Sequence, residues 1–229
     1  ALMSYRNSGG SLNYLGGNGF YWKIARQQQD PDILEIRRAE DGIRAWASEP
    51  GEYYQSFDGK YGGLWRRNGR PPQQLVGVGF TAQGTFIGMP YKRSSYKSEM
   101  SWIFDGIKET IIGDFGFSGN GAAGFELDRV DPKLDEGHDI QIIAQSYDTG
   151  KDFMLVPEEQ LTHLTNMSGD LEDNVRRADM IYFNVTGGGN VFSTGSITFC
   201  GSLPWKNFDN NVSRLLFNIF SKRLGPIKY

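Results

Sequence analysis

The sequence predicts an α/β domain in which strands dominate and the β-strand and loop regions are elaborate. Three observations indicate this fold class. Short apolar runs with strand-like alternation recur between turn residues along the chain. Glycine accounts for 30 of 229 residues and aromatic residues for 14%, which favours tight turns and close backbone packing. Only the C-terminal segment has a clear helical period, and we expect further helices from sequence upstream of residue 1.

The pattern of apolar residues places the individual elements. Residues 212–224 keep the i, i+3, i+4, i+7 spacing of a helix, with Asp209 as the expected N-cap and Gly225-Pro226 as the stop. Residues 49–72 are irregular, and a loop of this length is usually functional. Strands are predicted at residues 11–15, 20–25, 33–37, 74–80, 101–104, 110–112, 140–144, 153–156, 180–185 and 191–200.

Composition narrows the classes of function. The chain has 24 Lys+Arg against 27 Asp+Glu, a formal net charge of −3 and a pI of about 5.5, so it lacks the basic footprint of a nucleic-acid binder. No apolar run is long enough to span a bilayer. A single cysteine cannot form an internal disulfide, and two histidines make a histidine-rich metal site improbable. We expect a cytoplasmic protein that binds neither nucleic acid nor membrane.

The first residues suggest an interrupted unit. Residues 7–10 (NSGG) are typical of a helix end followed by a strand, yet few residues precede them and the sequence begins with Ala1. We expect the chain to begin within a βαβ unit, as a fragment, a processed product or one piece of a split protein. Residues 1–229 are then part of a single domain.

Two glycine-rich segments are candidate ligand sites. Residues 119–124 (GNGAAG) match the dinucleotide-binding fingerprint by letters, but Pro132 follows too soon for the required helix, which favours close backbone packing. Residues 16–19 (GGNG) follow a strand end, where ligands bind in open α/β sheets. Asn18 could orient a carbonyl or amide substrate, or it could simply tolerate a left-handed turn, and the sequence leaves both open.

Glu126 is the candidate proton-transfer residue. It lies between two apolar residues directly after six small ones. If its side chain points inward, burial would raise its pKa and make it a usable general acid or base. The alternative is a strand in which Glu126 and Asp128 both face solvent, and spacing alone favours that alternative.

The remaining reactive or aromatic residues are ambiguous. Tyr53 and Tyr54 lie in an aromatic and arginine-rich loop that could line a small apolar pocket, contact a partner, or simply be anchored to the core. Cys200 ends a predicted apolar strand, so we expect a small core residue rather than a nucleophile.

Six blocks of sequence, in order, resemble the large subunit of N,N-dimethylformamidase. Together they cover nearly the whole chain, and six ordered blocks are far more specific than any single one. The blocks are residues 10–22, 51–54, 62–66, 75–81, 121–129 and 209–214.

The resemblance implies a fold, an activity and a cofactor. The fold is the C-terminal portion of a glutamine-amidotransferase-like (Rossmann-like) α/β domain, within a larger subunit assembled with a small helical subunit. The activity is hydrolysis of N,N-dimethylformamide and related small formamides to dimethylamine and formate. The cofactor is a mononuclear iron, held by two tyrosines and a glutamate, that acts as a Lewis acid.

The resemblance also assigns residues. The family's glutamate ligand lies in a His-Pro-Glu-Tyr segment that this chain lacks, so we expect the iron ligands upstream of the chain and assign none here. Asn18 matches an active-site asparagine that hydrogen-bonds the substrate, and Glu126 matches a catalytic glutamate. Tyr21, Tyr53 and Tyr54 are weaker candidates as substrate-binding pocket lining. The alternative is a non-catalytic structural or subunit-assembly domain.

Overall fold

The computed structural model describes residues 1–38, 43, 49, 51–147, 149–150, 152–162 and 164–224, and in these it is a mixed α/β structure that consists mostly of sheet. The predicted Gly225-Pro226 stop lies outside the described residues. The helices are α1 (Leu2–Asn7), α2 (Pro72–Val76), α3 (Glu172–Val175) and α4 (Asn211–Leu224). The strands are β1 (Ser11–Tyr14), β2 (Ile24–Arg26), β3 (Leu34–Ile36), β4 (Gly79–Met89), β5 (Tyr91–Arg93), β6 (Ile111–Ile112), β7 (Ala123–Arg129), β8 (Gln141–Ser146), β9 (Phe153–Leu155), β10 (Asp179–Asn184) and β11 (Asn190–Ser193).

A six-stranded sheet forms the centre, in the order β1-β11-β10-β8-β5-β6. β1 and β11 are parallel, and the other neighbours are antiparallel. Successive residues of β10 enter opposite cores, because side chains alternate across a strand. Met180 packs in the core beneath α4, whereas Ile181 packs with Val76 of α2 on the other face. The central strands are therefore covered on both faces.

A second sheet, in the order β7-β4-β9, carries residues of the candidate site. β7 pairs antiparallel with β4, and the register shifts between Gln83 and Gly88. Phe125 lies within this shift and has a positive φ of 59°, so the strand is irregular just before Glu126. Leu127 bridges Ser196, and the Asp128 N–H donates to the Gly195 carbonyl at 2.9 Å, which brings β7 beside the chain that follows β11.

Several predicted elements are confirmed. The helix end predicted at residues 7–10 is the end of α1, which β1 follows. The helix predicted at residues 212–224 is α4. Strands also occur where the pattern predicted them at residues 140–144, 153–156 and 180–185, with small differences at their ends. No helix among the described residues is long and apolar enough to cross a membrane.

Other predicted elements are wrong, for local reasons. Residues 74–80 do not form one strand: Pro72 starts the helix α2, and Gly77, with φ of 78°, ends it before β4 begins. Residues 101–104 belong to a 3₁₀ segment, Ser98–Phe104, whose buried side chains pack beside α4. The N-cap of α4 is not Asp209, because the Asn210 side chain accepts the Ser213 N–H at 2.9 Å.

The last predicted strand is also too long. β11 ends at Ser193, and a 3₁₀ segment, Phe199–Ser202, follows it. Cys200 lies in that segment with its thiol exposed, so the expectation of a core residue is wrong. The glutamine-amidotransferase-like topology and the single-domain division of residues 1–229 stay predictions.

Candidate functional site

The turn that follows β1 lies directly against β7. Asn18, at the centre of this turn, has a left-handed backbone with φ of 58°. Its side-chain Nδ2 donates to Glu126 Oε1 at 3.1 Å, and its backbone N–H donates to Asp128 Oδ1 at 2.9 Å. Asn18 was predicted to orient the substrate and Glu126 to act in catalysis. The structure brings these two residues into contact, although they are 108 positions apart in sequence.

Glycines permit this close approach. A Cβ added at Gly17 would lie 2.9 Å from the Glu126 carbonyl oxygen and 3.1 Å from the Glu126 Cβ, which is closer than real Cβ contacts normally come. A Cβ added at Gly19 would lie 2.7 Å from the ring of Tyr14. The GGNG segment is therefore both a tight turn and the contact surface between β1 and β7.

Asp128 and Tyr14 form hydrogen bonds with the backbone of this turn. Tyr14 donates its hydroxyl hydrogen to Asp128 Oδ2 at 2.9 Å, and the same hydroxyl oxygen accepts the Gly19 N–H at 2.6 Å. Asp128 is fully buried. Burial and, to a smaller extent, the nearby Glu126 charge raise the pKa of Asp128 to about 7, although the hydrogen bonds from Asn18 and Tyr14 oppose the rise. Burial, and then the Asp128 charge, raise the pKa of Tyr14.

Glu126 is half-buried, which suits a group that exchanges protons with a ligand. Burial raises the pKa of its carboxyl above the ordinary range, and the hydrogen bond from Asn18 opposes that rise. A carboxyl titrating nearer neutrality is a more effective general acid or base than an ordinary one. The Asn18 Oδ1 atom is buried and has no hydrogen-bond partner among the described residues, so one acceptor in the site is unused.

The three tyrosines predicted to line the pocket lie in other contacts. Tyr21 is buried with Leu64, Phe80 and Val156, and its hydroxyl donates to Glu158 Oε2 at 3.2 Å. Tyr53 and Tyr54 lie in the irregular loop, where both rings contact Tyr61, at centroid distances of 6.3 and 5.6 Å. Their role in binding substrate stays a prediction.

Residues 119–124 form the close backbone contact that the sequence favoured over a nucleotide site. A Cβ at Gly121 would overlap the backbone of Gly88 in β4, and a strand, β7, follows the segment instead of a helix. The close-packing interpretation of this motif is confirmed.

The iron site that the family resemblance implied, with two tyrosines and a glutamate upstream of this chain, stays a prediction. In the part of the chain that the structure describes, no three His, Cys, Asp or Glu side chains gather closely enough to hold a metal ion. Both Asp128 oxygens already accept hydrogen bonds, and Glu126 Oε1 accepts one from Asn18. His138 stacks on Phe183, with ring centroids 4.8 Å apart.

The sequence interpretation missed Asp128 and Tyr14 as parts of the site. The sequence interpretation expected Asp128 to face solvent beside Glu126. The structure contradicts this expectation, because the Asp128 side chain is fully buried. The i, i+2 spacing of two carboxylates on one strand was the available signal, since such residues share a face. Nothing in the sequence near Tyr14 indicated its hydrogen bond to a residue 114 positions away.

Comparisons with known proteins give the family. Residues 1–212 match the family model described as N,N-dimethylformamidase beta subunit-like, C-terminal. The chain is 38% identical over 228 residues to the N,N-dimethylformamidase beta subunit of Paracoccus aminophilus, and 36% identical over 228 residues to that of Alcaligenes sp. Each match covers 97% of this chain and 29% of the relative, so the chain spans less than a third of these relatives' length.

These matches correct the subunit designation. The ordered blocks resembled the enzyme's large subunit, whereas the family model and both relatives carry the beta-subunit name. The blocks identify the enzyme family through its residues but carry no information about how its subunits are designated. The chain therefore belongs to the N,N-dimethylformamidase beta subunit-like, C-terminal family.

Proposed function

We propose that this chain forms part of the active site of an amidohydrolase that converts N,N-dimethylformamide and related small formamides to dimethylamine and formate. The observation that carries the proposal is the contact between Asn18 Nδ2 and Glu126 Oε1 at 3.1 Å, on a glycine turn at a strand end. Membership of a family whose named relatives are dimethylformamidase beta subunits supports the choice of substrate.

Glu126 is the proton-transfer group of the proposed reaction. Water adds to the formyl carbon, and the ionised Glu126 carboxylate accepts the proton that the water loses. The protonated carboxyl then donates this proton to the amide nitrogen as the C–N bond breaks. Expulsion of an unprotonated amide anion is prohibitive, so a donor at that nitrogen is required. The raised pKa of Glu126 suits both steps, because the group must take up and release a proton in one turnover.

Asn18 orients the substrate relative to Glu126. Its side chain has one acceptor and two donor hydrogens, and one donor is committed to Glu126. The second donor hydrogen and the Oδ1 acceptor, which is buried and has no partner among the described residues, are the groups that would bind the amide or a water molecule in the proposed reaction. A substrate held by Asn18 is therefore held beside the carboxyl that moves the proton.

The cofactor and partners belong to the same proposal. We place the iron, with its ligands, on parts of the assembly outside this chain, and the roles of the described residues are confined to orientation and proton transfer. A small helical subunit and the rest of the catalytic subunit are the proposed partners. The cytoplasm is the proposed compartment, because the one cysteine is free.

The test is product release by the purified native assembly that contains this chain. Incubation with N,N-dimethylformamide should yield dimethylamine and formate in equal amounts, with iron measured in the same preparation. Formamide and N-methylformamide, assayed in parallel, define the substrate range. An iron-containing assembly that releases products from none of the three amides would contradict the proposed activity.

A structural or subunit-assembly role is the second candidate, and one surface favours it. A groove of about 530 Å³ runs beside α4, and Phe208, Phe217 and Phe220 are exposed along it. Exposed aromatic clusters of this kind are common at protein interfaces. If the role is only structural, Asn18 and Glu126 variants will change the size of the assembly instead of its rate, and size-exclusion chromatography measures that difference.

A further inference from the structure

A closed hydrogen-bond network joins the turn to β7. The Asn18 N–H and the Tyr14 hydroxyl donate to the two different oxygens of Asp128, at 2.9 Å each. The Tyr14 oxygen then accepts the Gly19 N–H at 2.6 Å. Two consecutive backbone N–H groups of the turn are thus held by side chains that make no described hydrogen bond to Glu126.

We propose that Asp128 and Tyr14 are positioning residues, which fix the turn so that the Asn18 amide faces Glu126. This inference rests on the proposed function, since it assigns the pair a part in the same reaction. Neither side chain needs to touch the substrate: Asp128 is fully buried, and Tyr14 is occupied on both sides of its hydroxyl.

Backbone geometry explains why such a network is needed. Asn18 and Phe20 both have positive φ angles, 58° and 56°, which non-glycine residues rarely adopt without compensation. Glycines at 16, 17 and 19 leave the turn intrinsically flexible. Because two of its backbone N–H groups are hydrogen-bonded to side chains, the turn is restricted to the conformation in which the Asn18 amide faces Glu126. A preorganised site requires such a restriction.

The charge of Asp128 adds an electrostatic effect that a purely structural residue would lack. Its hydrogen-bond donors in the described structure, the Asn18 N–H and the Tyr14 hydroxyl, are neutral, and burial together with the nearby Glu126 charge raises the pKa of Asp128 to about 7. An ionised Glu126 therefore disfavours ionisation of Asp128. The ionisation of Asp128 should then appear in the kcat profile of the wild-type assembly as a titration near pH 7, and Asp128→Asn should remove it.

The first test measures kcat, KM and their pH profiles in the native assembly carrying Asp128→Asn or Tyr14→Phe. We expect kcat/KM to fall roughly 10–100-fold in each variant, because loss of orientation alone can cost a factor of that size. Asp128→Asn should also remove the titration near pH 7 from the kcat profile, which a purely structural carboxyl would not contribute. Asp179→Asn is the control for loss of a buried carboxylate away from the turn: Asp179 is equally buried and accepts the Val130 backbone N–H at 2.8 Å, although it also forms an ion pair with Arg177.

The second test does not depend on activity. A crystal or cryo-electron microscopy structure of the assembly carrying both Asp128→Asn and Tyr14→Phe should show that the Asn18 amide has moved away from Glu126. Preservation of the 3.1 Å contact in that variant would overturn the inference, whatever the rate. If the Asp128→Asn assembly fails to form, Tyr14→Phe, which removes a single hydroxyl, supplies the same comparison alone.

The two proposals fail in different ways. A wild-type assembly inactive on small formamides contradicts the proposed function, and the structural test still decides the positioning role. An active wild-type assembly whose Asp128→Asn and Tyr14→Phe variants keep wild-type kcat/KM contradicts the positioning role alone. Equal losses per folded protein in Asp179→Asn and Asp128→Asn, with the titration near pH 7 kept in Asp128→Asn, would also overturn it.

Discussion

In two regions of the molecule a tyrosine hydroxyl donates to a buried carboxylate. The regions differ in whether a positively charged side chain lies beside the carboxylates. At the candidate site Tyr14 donates to Asp128. In the second region Tyr21 donates to Glu158, and Arg66 forms an ion pair with the neighbouring Glu159. Arg66 also donates to the Glu158 carbonyl oxygen, so the guanidinium ties the acidic pair together. In the described structure, the donors to Asp128 are neutral groups.

The difference indicates what separates a site from a structural cluster. Burial raises the pKa of Glu159, and the Arg66 charge opposes that rise, because the ion pair favours the charged form of the carboxyl. Among the described residues, the carboxyls at the candidate site are held by hydrogen bonds alone, and one of them, Glu126, is partly exposed. A buried charge pair contributes packing and specificity, whereas an uncompensated, accessible carboxyl is able to exchange a proton.

The largest expected effect comes from removing the proton-transfer carboxyl. Glu126→Gln should lower kcat by about 10²–10⁴, because glutamine keeps the hydrogen bond to Asn18 but cannot accept a proton. Glu159→Gln is the matched variant in the second region, and it should lower the free energy of unfolding by roughly 1–3 kcal/mol because Arg66 loses its charged partner. Steady-state kinetics normalised to folded protein, with thermal unfolding, separate the two effects.

Unchanged kcat in the Glu126→Gln assembly would contradict the contrast between the regions. So would a loss of rate in Glu159→Gln as large as that in Glu126→Gln, since the two carboxylates would then be equivalent.

A smaller effect is expected from changing the turn without changing any polar group. Gly17→Ala places a methyl group 2.9 Å from the Glu126 carbonyl oxygen, so the turn must move away from β7. We expect kcat/KM to fall about tenfold or more, because catalysis is sensitive to displacements of about 1 Å. Gly16→Ala is the control: its added Cβ would meet only Tyr14 Cε2, at an ordinary 3.7 Å, and it should leave kcat/KM nearly unchanged.

Similar kinetics for Gly17→Ala and Gly16→Ala would show that contact between the turn and β7 does not set the rate. Measurement of assembly size for both variants excludes an indirect effect through subunit loss.

The smallest effect is expected from Tyr21→Phe, which tests the predicted pocket-lining role. Because the Tyr21 hydroxyl donates to buried Glu158, its loss should cost about 1 kcal/mol of stability and leave KM nearly unchanged. Thermal unfolding and KM for N,N-dimethylformamide measure the two quantities. A tenfold higher KM, equivalent to about 1.4 kcal/mol of binding, would instead support Tyr21 as a substrate contact.

Regular periodicity was the part of the fold that could be predicted. The apolar spacing of α4 and the apolar run of β10 were predictable because α4 buries one continuous face and β10 is buried on both faces of its sheet. Residues 74–80 misled the prediction because their apolar letters suit a strand, whereas Pro72 and Gly77 divide them into a short helix and a turn. Cys200 was misplaced because an apolar run does not reveal where a chain leaves a sheet.

The candidate site was likewise predictable only in part from the sequence. Local sequence indicated that Asn18 lies in a turn after a strand and that Glu126 lies among apolar residues, because turn propensity and alternation depend on near neighbours. It left open whether either residue acts in chemistry. That depended on the packing of β7 against the end of β1, which joins residues more than 100 positions apart and removes Asp128 from water. Burial and long-range hydrogen bonds set the pKa values and orientations of these groups, and both arise only when the chain has folded.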